Sequence, residues 1–184
     1  MEISSVTMTT SLLVTDYINF SVKKAGYKRL TEPKWPEIHC AECKSKLEIN
    51  LITICNKCDH MHYLDQKDTT ETCSLIDESK HVRKLCDEFN KMFKEEFGNM
   101  YEDIDGSEMT IEKYWKILDA VIEDKINWGR VIAIIAFAGY LAAQCLKSNR
   151  DRYVDVIREW TCSFFSLRVD KWIAENNGWV RNEV

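Results

Sequence analysis

Four cysteines in the first third of the chain have the spacing of a metal site. They form two Cys-x-x-Cys pairs with residues 44–54 between them: Cys40 and Cys43, then Cys55 and Cys58. One such turn supplies thiolates for two of the four corners of a tetrahedron, and a second turn completes the ligand set of a structural zinc ion. We therefore predict a zinc site of the zinc-ribbon type, with a tight β-hairpin between the two pairs.

The same cysteines also allow simpler interpretations. They could be surface thiols or adventitious disulfides, whereas a redox-active pair is less favoured because it would follow a strand and open a helix. Three nearby histidines could replace a ligand, although four sulfurs already fill the positions: His39, His60 and His62. The start of the chain lacks the basic segment of a secretory leader, so we expect a reducing compartment. Three further cysteines fall in predicted helices and are expected in or near the core: Cys86, Cys145 and Cys162.

The charge balance argues against nucleic acid as a partner. Residues 34–67, which hold the two cysteine pairs, contain five lysines and five acidic residues, and the whole chain has a formal net charge of -5. Proteins that contact phosphates concentrate Lys and Arg. We treat this segment as a zinc-ribbon-like insertion with a short strand at Leu47–Ile54, and we predict a structural or docking role for it.

The remaining reactive side chains show no arrangement typical of an enzyme. The sequence contains neither a Gly-rich phosphate loop nor a nucleophile elbow. His81 is the only histidine in the predicted helices, and Glu95 and Glu96 are typical of a solvated helix face. We therefore predict a binding protein without catalytic residues.

Outside the insertion, apolar residues recur at helical spacing. The run from Val131 to Ala143 is apolar on nearly all sides, which suits a buried core helix and is shorter than the roughly 18–20 residues that cross a bilayer. We predict an all-α bundle in one domain, residues 1–184, with the insertion at 34–67. The predicted helices are Leu12–Ala25 with a stop at Gly26, Ser79 to a stop at Gly98, Thr110 as N-cap to Ile122, Val131–Leu146, Tyr153–Phe165 and Lys171–Asn176.

Four segments of the chain carry a family resemblance. In chain order they are Leu13–Tyr17 with Lys24–Tyr27, Val82–Phe89, Ile126–Arg130 and Lys171–Trp179. They resemble, respectively, the fourth, third, first and second homology motifs of the Bcl-2 family of cell-death regulators. The Asn-Trp-Gly-Arg sequence before an apolar helix is the most specific element, while Cys86 stands where the family usually has a small residue, often Gly. The resemblance covers about residues 11–30 and 79–184, and the insertion is not part of the family pattern.

This resemblance implies a fold and a function. Such proteins are Bcl-2-like helical bundles around a central apolar hairpin, and members with all four motifs restrain apoptosis. They bind the amphipathic death-motif helix of pro-apoptotic relatives, which are Bax/Bak-type or death-motif-only proteins, and so prevent permeabilisation of the mitochondrial outer membrane. Full-length members usually end in an apolar tail anchor, which was either removed from this chain or never present. We expect a cytoplasmic and mitochondrial outer-membrane protein whose full-length form is anchored by such a tail. A pro-apoptotic, pore-forming member is the alternative, because it shares the bundle.

The same resemblance assigns residues to a hydrophobic peptide groove. Arg130 would hold an aspartate of the partner bidentately, Asn127 would add a hydrogen bond, and Gly129 would let the ligand backbone approach closely. By position, six apolar side chains should line the groove: Phe89, Phe93, Phe97, Ile117, Val121 and Phe137. Two simpler interpretations stay open, since the phenylalanines could be core residues and Arg130 could pair with Asp124.

Overall fold

Seven α-helices, one strand pair and a π-helical turn make up the described part of the protein. The computed structural model describes residues 3–27, 38–39, 46–47, 66–105 and 109–179. In chain order the elements are α1 (Ile3–Lys24), β1 (Ile38–His39), β2 (Lys46–Leu47), α2 (Gln66–Met92), α3 (Lys94–Asp105), α4 (Ile111–Ile122), α5 (Trp128–Lys147), α6 (Arg152–Phe164), the π turn (Phe165–Val169) and α7 (Asp170–Glu175).

Helix α5 lies at the centre of the bundle. Twelve of its 20 residues are buried, among them Ile134, Phe137 and Leu141. It packs against α1, α2, α4 and α6. A helix that is apolar on all sides has no face for solvent, so it is stable only when other helices surround it. The prediction of an all-α bundle around a central apolar helix is therefore confirmed.

The hairpin of α5 and α6 has one apolar arm and one amphipathic arm. Asn149, which has a φ of 55°, follows the end of α5 and turns the chain toward α6. Helix α6 buries Ile157 and Phe164 on one side, while Glu159 on the other side is exposed. Helices α5 and α6 pack against each other as the central hairpin, and α5 is its more apolar arm.

One described helix, α5, has the length and the apolar composition that would let it cross a membrane. The predicted apolar run 131–143 was shorter than a span, but the helix extends beyond it at both ends and reaches 20 residues. In this structure 67% of its most apolar window is buried inside the protein. The core helix of a helical bundle passes the same test of length and composition.

A glycine brings α1 and α5 into close contact. A Cβ on Gly139 would lie 2.6 Å from Ser21 Oγ and 2.6 Å from Tyr17 Cε1. Carbon atoms do not approach other side chains so closely in a packed interior, so glycine is what allows the two helices to pack at this distance. Tyr17 is fully buried there, and burial raises the pKa of its hydroxyl well above the ordinary value.

Charged side chains fasten α1 to α2. The buried carboxylate of Asp16 accepts hydrogen bonds from the Ser79 hydroxyl and from both Nε and Nη2 of Arg83. The Arg83 guanidinium also lies 5.0 Å from the centre of the Phe20 ring. Because a carboxylate and a guanidinium are both planar, the paired hydrogen bonds fix the orientation of the two helices as well as their distance.

Two predicted helix boundaries are confirmed. Gly26 has a φ of 90° and ends α1 with a glycine stop, in which the N–H of Tyr27 donates to the carbonyl of Val22. Thr110 is the N-cap of α4, and its Oγ1 accepts a hydrogen bond of 3.4 Å from the N–H of Lys113.

The predicted helix from Ser79 to Gly98 is wrong at both ends. Helix α2 begins at Gln66 and breaks at Phe93, and Gly98 lies inside α3. The apolar spacing at 89, 93 and 97 continues across the break, so the pattern does not reveal it. A glycine inside a helix costs only about 1 kcal/mol, which packing can offset.

A short strand pair lies in the insertion. Strands β1 and β2 are antiparallel, with Ile38 opposite Leu47 and His39 opposite Lys46. The paired residues flank the first Cys-x-x-Cys sequence, whereas the predicted hairpin lay between the two cysteine pairs. Of the predicted strand Leu47–Ile54, Leu47 belongs to β2 and the other residues lie outside the described part of the chain, as do the four predicted zinc ligands: Cys40, Cys43, Cys55 and Cys58.

Candidate functional site

Apolar side chains reach the surface where α2 ends. The rings of Phe89 and Phe93 stack with their centroids 5.3 Å apart. Phe93 is 38% exposed, and Met92 beside it is 64% exposed. Met92 was not among the predicted groove residues, although an apolar pair next to the charged residues of 94–96 is a sequence signal for it. Large apolar side chains in an exposed cluster are typical of an interaction surface.

The start of α5 adjoins this cluster. Asn127 caps the helix, since its Oδ1 accepts a hydrogen bond of 2.9 Å from the backbone N–H of Arg130. Gly129 is exposed, and a Cβ on it would lie 3.9 Å from Cζ of Phe89 and 3.3 Å from Asn127 Oδ1. The structure therefore brings together the predicted residues from the end of α2 and the start of α5, and glycine leaves the space between them open.

Arg130 has partners within its own loop. Its Nη2 lies 2.7 Å from Asp124 Oδ2, and its Nη1 donates a hydrogen bond of 2.9 Å to the carbonyl of Lys125. The arginine side chain is 30% exposed, whereas that of Asp124 is 81% exposed. Of the two interpretations open from the sequence, pairing with Asp124 is the one present here, and it leaves the guanidinium at the surface.

The other predicted groove residues divide into two sets. Ile117 and Val121 on α4 are partly buried against the core. Phe97 and Phe137 are buried, with their ring centroids 5.5 Å apart, so they form the layer beneath the surface in this conformation. Their contact with a ligand stays a prediction.

The start of α5 is held in place by aromatic side chains. The Trp128 ring lies 5.3 Å from that of Trp172 and 5.4 Å from that of Trp179. Trp179 Nε1 donates to Thr10 Oγ1 at 2.8 Å, and the Thr10 hydroxyl donates to Asp170 Oδ1 at 2.8 Å. Trp179, at the end of the described chain, thereby contacts both α1 and α5. Its contact on α5 is Trp128, which directly precedes Gly129 and Arg130. Aromatic pairs at such distances add stability beyond their burial.

Two residues of the motif segment on α2, Cys86 and Asp87, contact the neighbouring helices. Cys86 is fully buried, and its Sγ donates to the carbonyl of Ile132 on α5 at 3.7 Å. Asp87 accepts hydrogen bonds from Nζ of Lys24 at 2.6 Å and from the Tyr17 hydroxyl at 3.3 Å. Burial raises the pKa of the Cys86 thiol well above its ordinary value, which keeps it protonated. This segment therefore serves the packing of α2 on α1 and α5.

The described residues hold no candidate metal centre. No group of three or more His, Cys, Asp or Glu side chains that could hold a metal occurs among them. The predicted core positions of the cysteines in the helices are confirmed, because Cys86 and Cys145 are buried and Cys162 is partly buried. The zinc prediction concerns residues outside that part of the chain.

A buried apolar helix surrounded by other helices places this protein in the class of globular helical bundles. The family model described as apoptosis regulator proteins, Bcl-2 family, matches residues 82–179, which is more than half of the chain. The chain therefore belongs to the Bcl-2 family.

Two sequence relatives and one solved structure agree with this membership. Apoptosis regulator Bcl-2 of Gallus gallus is 24% identical over 99 residues, which cover 53% of this chain and 42% of that protein. Bcl-2-like protein 1 of Sus scrofa is 24% identical over 113 residues, which cover 61% and 48%. The crystal structure of chicken BOK matches with a TM-score of 0.63 at 18% identity, over 97% of this chain and 95% of that chain. This chain spans about half the length of the sequence relatives it matches, and the likeness to BOK concerns the fold alone.

Proposed function

We propose that this protein restrains apoptosis by binding the amphipathic death-motif helix of pro-apoptotic Bcl-2 relatives. The observation that carries the proposal is the junction of α2 and α5, where exposed Gly129 leaves open the space beside Phe89. Apolar Met92 and Phe93 are exposed at the end of α2, and the side chain of Arg130, which follows Gly129 in the chain, is 30% exposed.

The physical requirements of helix binding match these residues. A partner helix inserts apolar side chains at positions i, i+3 or i+4, and i+7, and the half-buried residues of α2 and α4 offer apolar surface for them. An aspartate on the partner would pair with Arg130, whose planar fork suits a carboxylate. Partners with these features are Bax/Bak-type relatives and death-motif-only proteins. Phe97 and Phe137 would form the floor that the inserted side chains reach.

The proposal is tested with a helical peptide that carries three apolar residues at this spacing and one aspartate. We expect a submicromolar dissociation constant, which corresponds to about -8 kcal/mol or better. The control peptide has the same length with two of the apolar residues changed to Glu, and it should bind at least about tenfold more weakly. Absence of binding by the folded protein would contradict the proposal.

The direction of action is part of the proposal. The packing of the protein's own motif segment, with Cys86 buried and Asp87 hydrogen-bonded to α1, supports a role as the receptor of a death-motif helix. A receptor of this kind would act in the cytoplasm and at the mitochondrial outer membrane, where it would keep pro-apoptotic relatives from permeabilising the lipid.

Pore formation by a pro-apoptotic member is the second candidate, and the length and apolar composition of α5 favour it. A dye-release assay on vesicles of mitochondrial lipid composition separates the two. The proposal predicts no release by this protein alone and reduced release when it is added to an activated Bax-type relative. Release by this protein alone would establish the second candidate instead.

We also propose that the insertion binds one structural zinc ion through Cys40, Cys43, Cys55 and Cys58. The spacing of the two Cys-x-x-Cys pairs supports this, as does a strand pair that flanks the first of them. Native mass spectrometry should find one zinc per chain, and the Cys55→Ser/Cys58→Ser variant should lose it. Cys162→Ser, which changes a cysteine of α6, should keep it. A zinc-free chain after purification and refolding with zinc would contradict the site.

A further inference from the structure

The guanidinium of Arg130 is already occupied by acceptors from its own chain. Both Nη atoms have partners in the connection between α4 and α5, namely the carboxylate of Asp124 at 2.7 Å and the carbonyl of Lys125 at 2.9 Å. The backbone of Arg130 is meanwhile fixed by the cap at Asn127. The arginine is therefore held at the start of α5 with a carboxylate of its own chain already against its guanidinium.

Two carboxylates cannot both take the same fork of the guanidinium at full strength. Asp124 accepts from Nη2 and Lys125 from Nη1, so a partner aspartate would either displace Asp124 or bind beside it on the remaining donors. In the second case the two carboxylates would repel each other and weaken the contact. Displacement is feasible, since Asp124 is 81% exposed and exposed ion pairs are weak. The internal pair thus reduces the gain from a partner carboxylate without blocking it.

We propose that Asp124 is an internal competitor for the partner's aspartate and sets how strongly the site distinguishes an acidic ligand from a neutral one. This inference rests on the proposed function, because it concerns the ligand carboxylate at the same arginine. With Asp124 in place, the affinity for the partner helix depends mainly on its apolar contacts. Without Asp124, the ionic contact with Arg130 would contribute a larger share of the affinity.

The test uses the helical peptide with its aspartate and a second peptide in which that residue is asparagine. Asp124→Asn should bind the aspartate peptide about two- to five-fold more tightly than the wild type and should bind the asparagine peptide equally well. The gain should vanish when Arg130→Ala is added. Asp119→Asn is the matched control, because Asp119 also makes an exposed pair with an arginine, Arg168, at 3.9 Å, and its change should alter neither affinity.

The outcomes separate this inference from the proposed function. Equal binding of the aspartate peptide by wild type and Asp124→Asn, or the same gain with the asparagine peptide, would overturn the competition and leave helix binding intact. Absence of binding by every variant would overturn helix binding and the competition with it. A peptide-free measurement tests the internal pair directly: side-chain NMR should show slower rotation of the Arg130 guanidinium in the wild type than in Asp124→Asn. Equal rotation would overturn the pairing.

Discussion

Asp170 is a buried acid whose ionisation opposes folding. Burial raises its pKa, while hydrogen bonds from Thr7 and Thr10 offset part of the rise, and its Oδ2 has no hydrogen-bond partner among the described residues. Between the ordinary Asp value of about 3.9 and the raised value, the folded protein binds more protons than the unfolded chain, so stability falls as pH rises through this window. We expect the stability of Asp170→Asn relative to the wild type to increase as pH rises above about 4, as measured by urea unfolding.

The control for this change is Asp151→Asn. Asp151 is exposed before α6 and makes no side-chain capping hydrogen bond. Because it removes no buried charge, this change should alter the free energy of unfolding by no more than about 0.5 kcal/mol. If the stability of Asp170→Asn relative to the wild type did not increase as pH rises above about 4, the raised pKa of Asp170 would be contradicted.

At the residue scale, motif residues were predictable and their partners were not. The Asn-Trp-Gly-Arg sequence located the start of α5 and its exposed glycine. Which carboxylate pairs with the Arg130 guanidinium depends on the path of the loop between α4 and α5. The sequence alone therefore left Asp124 and a ligand aspartate as alternatives. The contact between Thr10 and Asp170 joins residues 160 positions apart, and no local pattern reports such a pair.

Helix α1 packs on α5 through a contact that tolerates only glycine on the α5 side. We expect Gly139→Ala to lower the free energy of unfolding by about 1–3 kcal/mol, because its Cβ would collide with Tyr17 and Ser21. Thermal or urea unfolding measures the change.

For Gly98→Ala, the same substitution at another helical glycine, we expect the free energy of unfolding to rise. Gly98 lies inside α3, and a Cβ there would meet only the Tyr140 hydroxyl, at an ordinary 3.9 Å. Alanine favours the helix over glycine, so we expect a gain of about 0.5–1 kcal/mol. If Gly139→Ala did not lower the free energy of unfolding, or changed it as Gly98→Ala does, the close approach of α1 and α5 would be contradicted.

The buried ion pair between Asp16 and Arg83 should contribute far more to the free energy of unfolding than the exposed pair between Lys24 and Asp87. Side chains of Asp16 and Arg83 are 5% and 19% exposed, so Arg83→Ala would leave a buried carboxylate and cost about 3–5 kcal/mol. Lys24→Ala removes a pair in which the lysine is 56% exposed and should cost less than about 1 kcal/mol. Similar losses for the two variants in urea unfolding would contradict the structural role of Asp16.

At the element scale, helices were predictable where an apolar stripe and a cap coincide. Thr110 and Gly26 marked real ends because each supplies local backbone chemistry. The break at Phe93 was not predictable, since the apolar spacing continues through it. The early start of α1 at Ile3 was also missed, because Thr-rich residues 3–11 have weak helix propensity and are held by packing of Val6 and Thr10.

For the whole molecule, the arrangement around α5 followed from one physical fact. A long apolar helix without a polar face needs a layer of amphipathic helices, and α1, α2, α4 and α6 supply it. The structure of the insertion could not be predicted in this way, because short strands and metal sites depend on a few long-range contacts. Its strand pair flanks the first Cys-x-x-Cys sequence, and the hairpin predicted between the two cysteine pairs stays a prediction.

Binding of a death-motif helix at the α2–α5 junction, with Arg130 as the ionic anchor, can be measured by calorimetric titration. The aspartate peptide is titrated into wild type, Arg130→Ala and the control Arg168→Ala, whose arginine is 54% exposed on the π turn. We expect binding that weakens about tenfold in Arg130→Ala, or about 1.4 kcal/mol, and stays unchanged in Arg168→Ala. Equal affinities for wild type and Arg130→Ala would contradict the anchor, and absence of binding by the folded wild type would contradict helix binding as a whole.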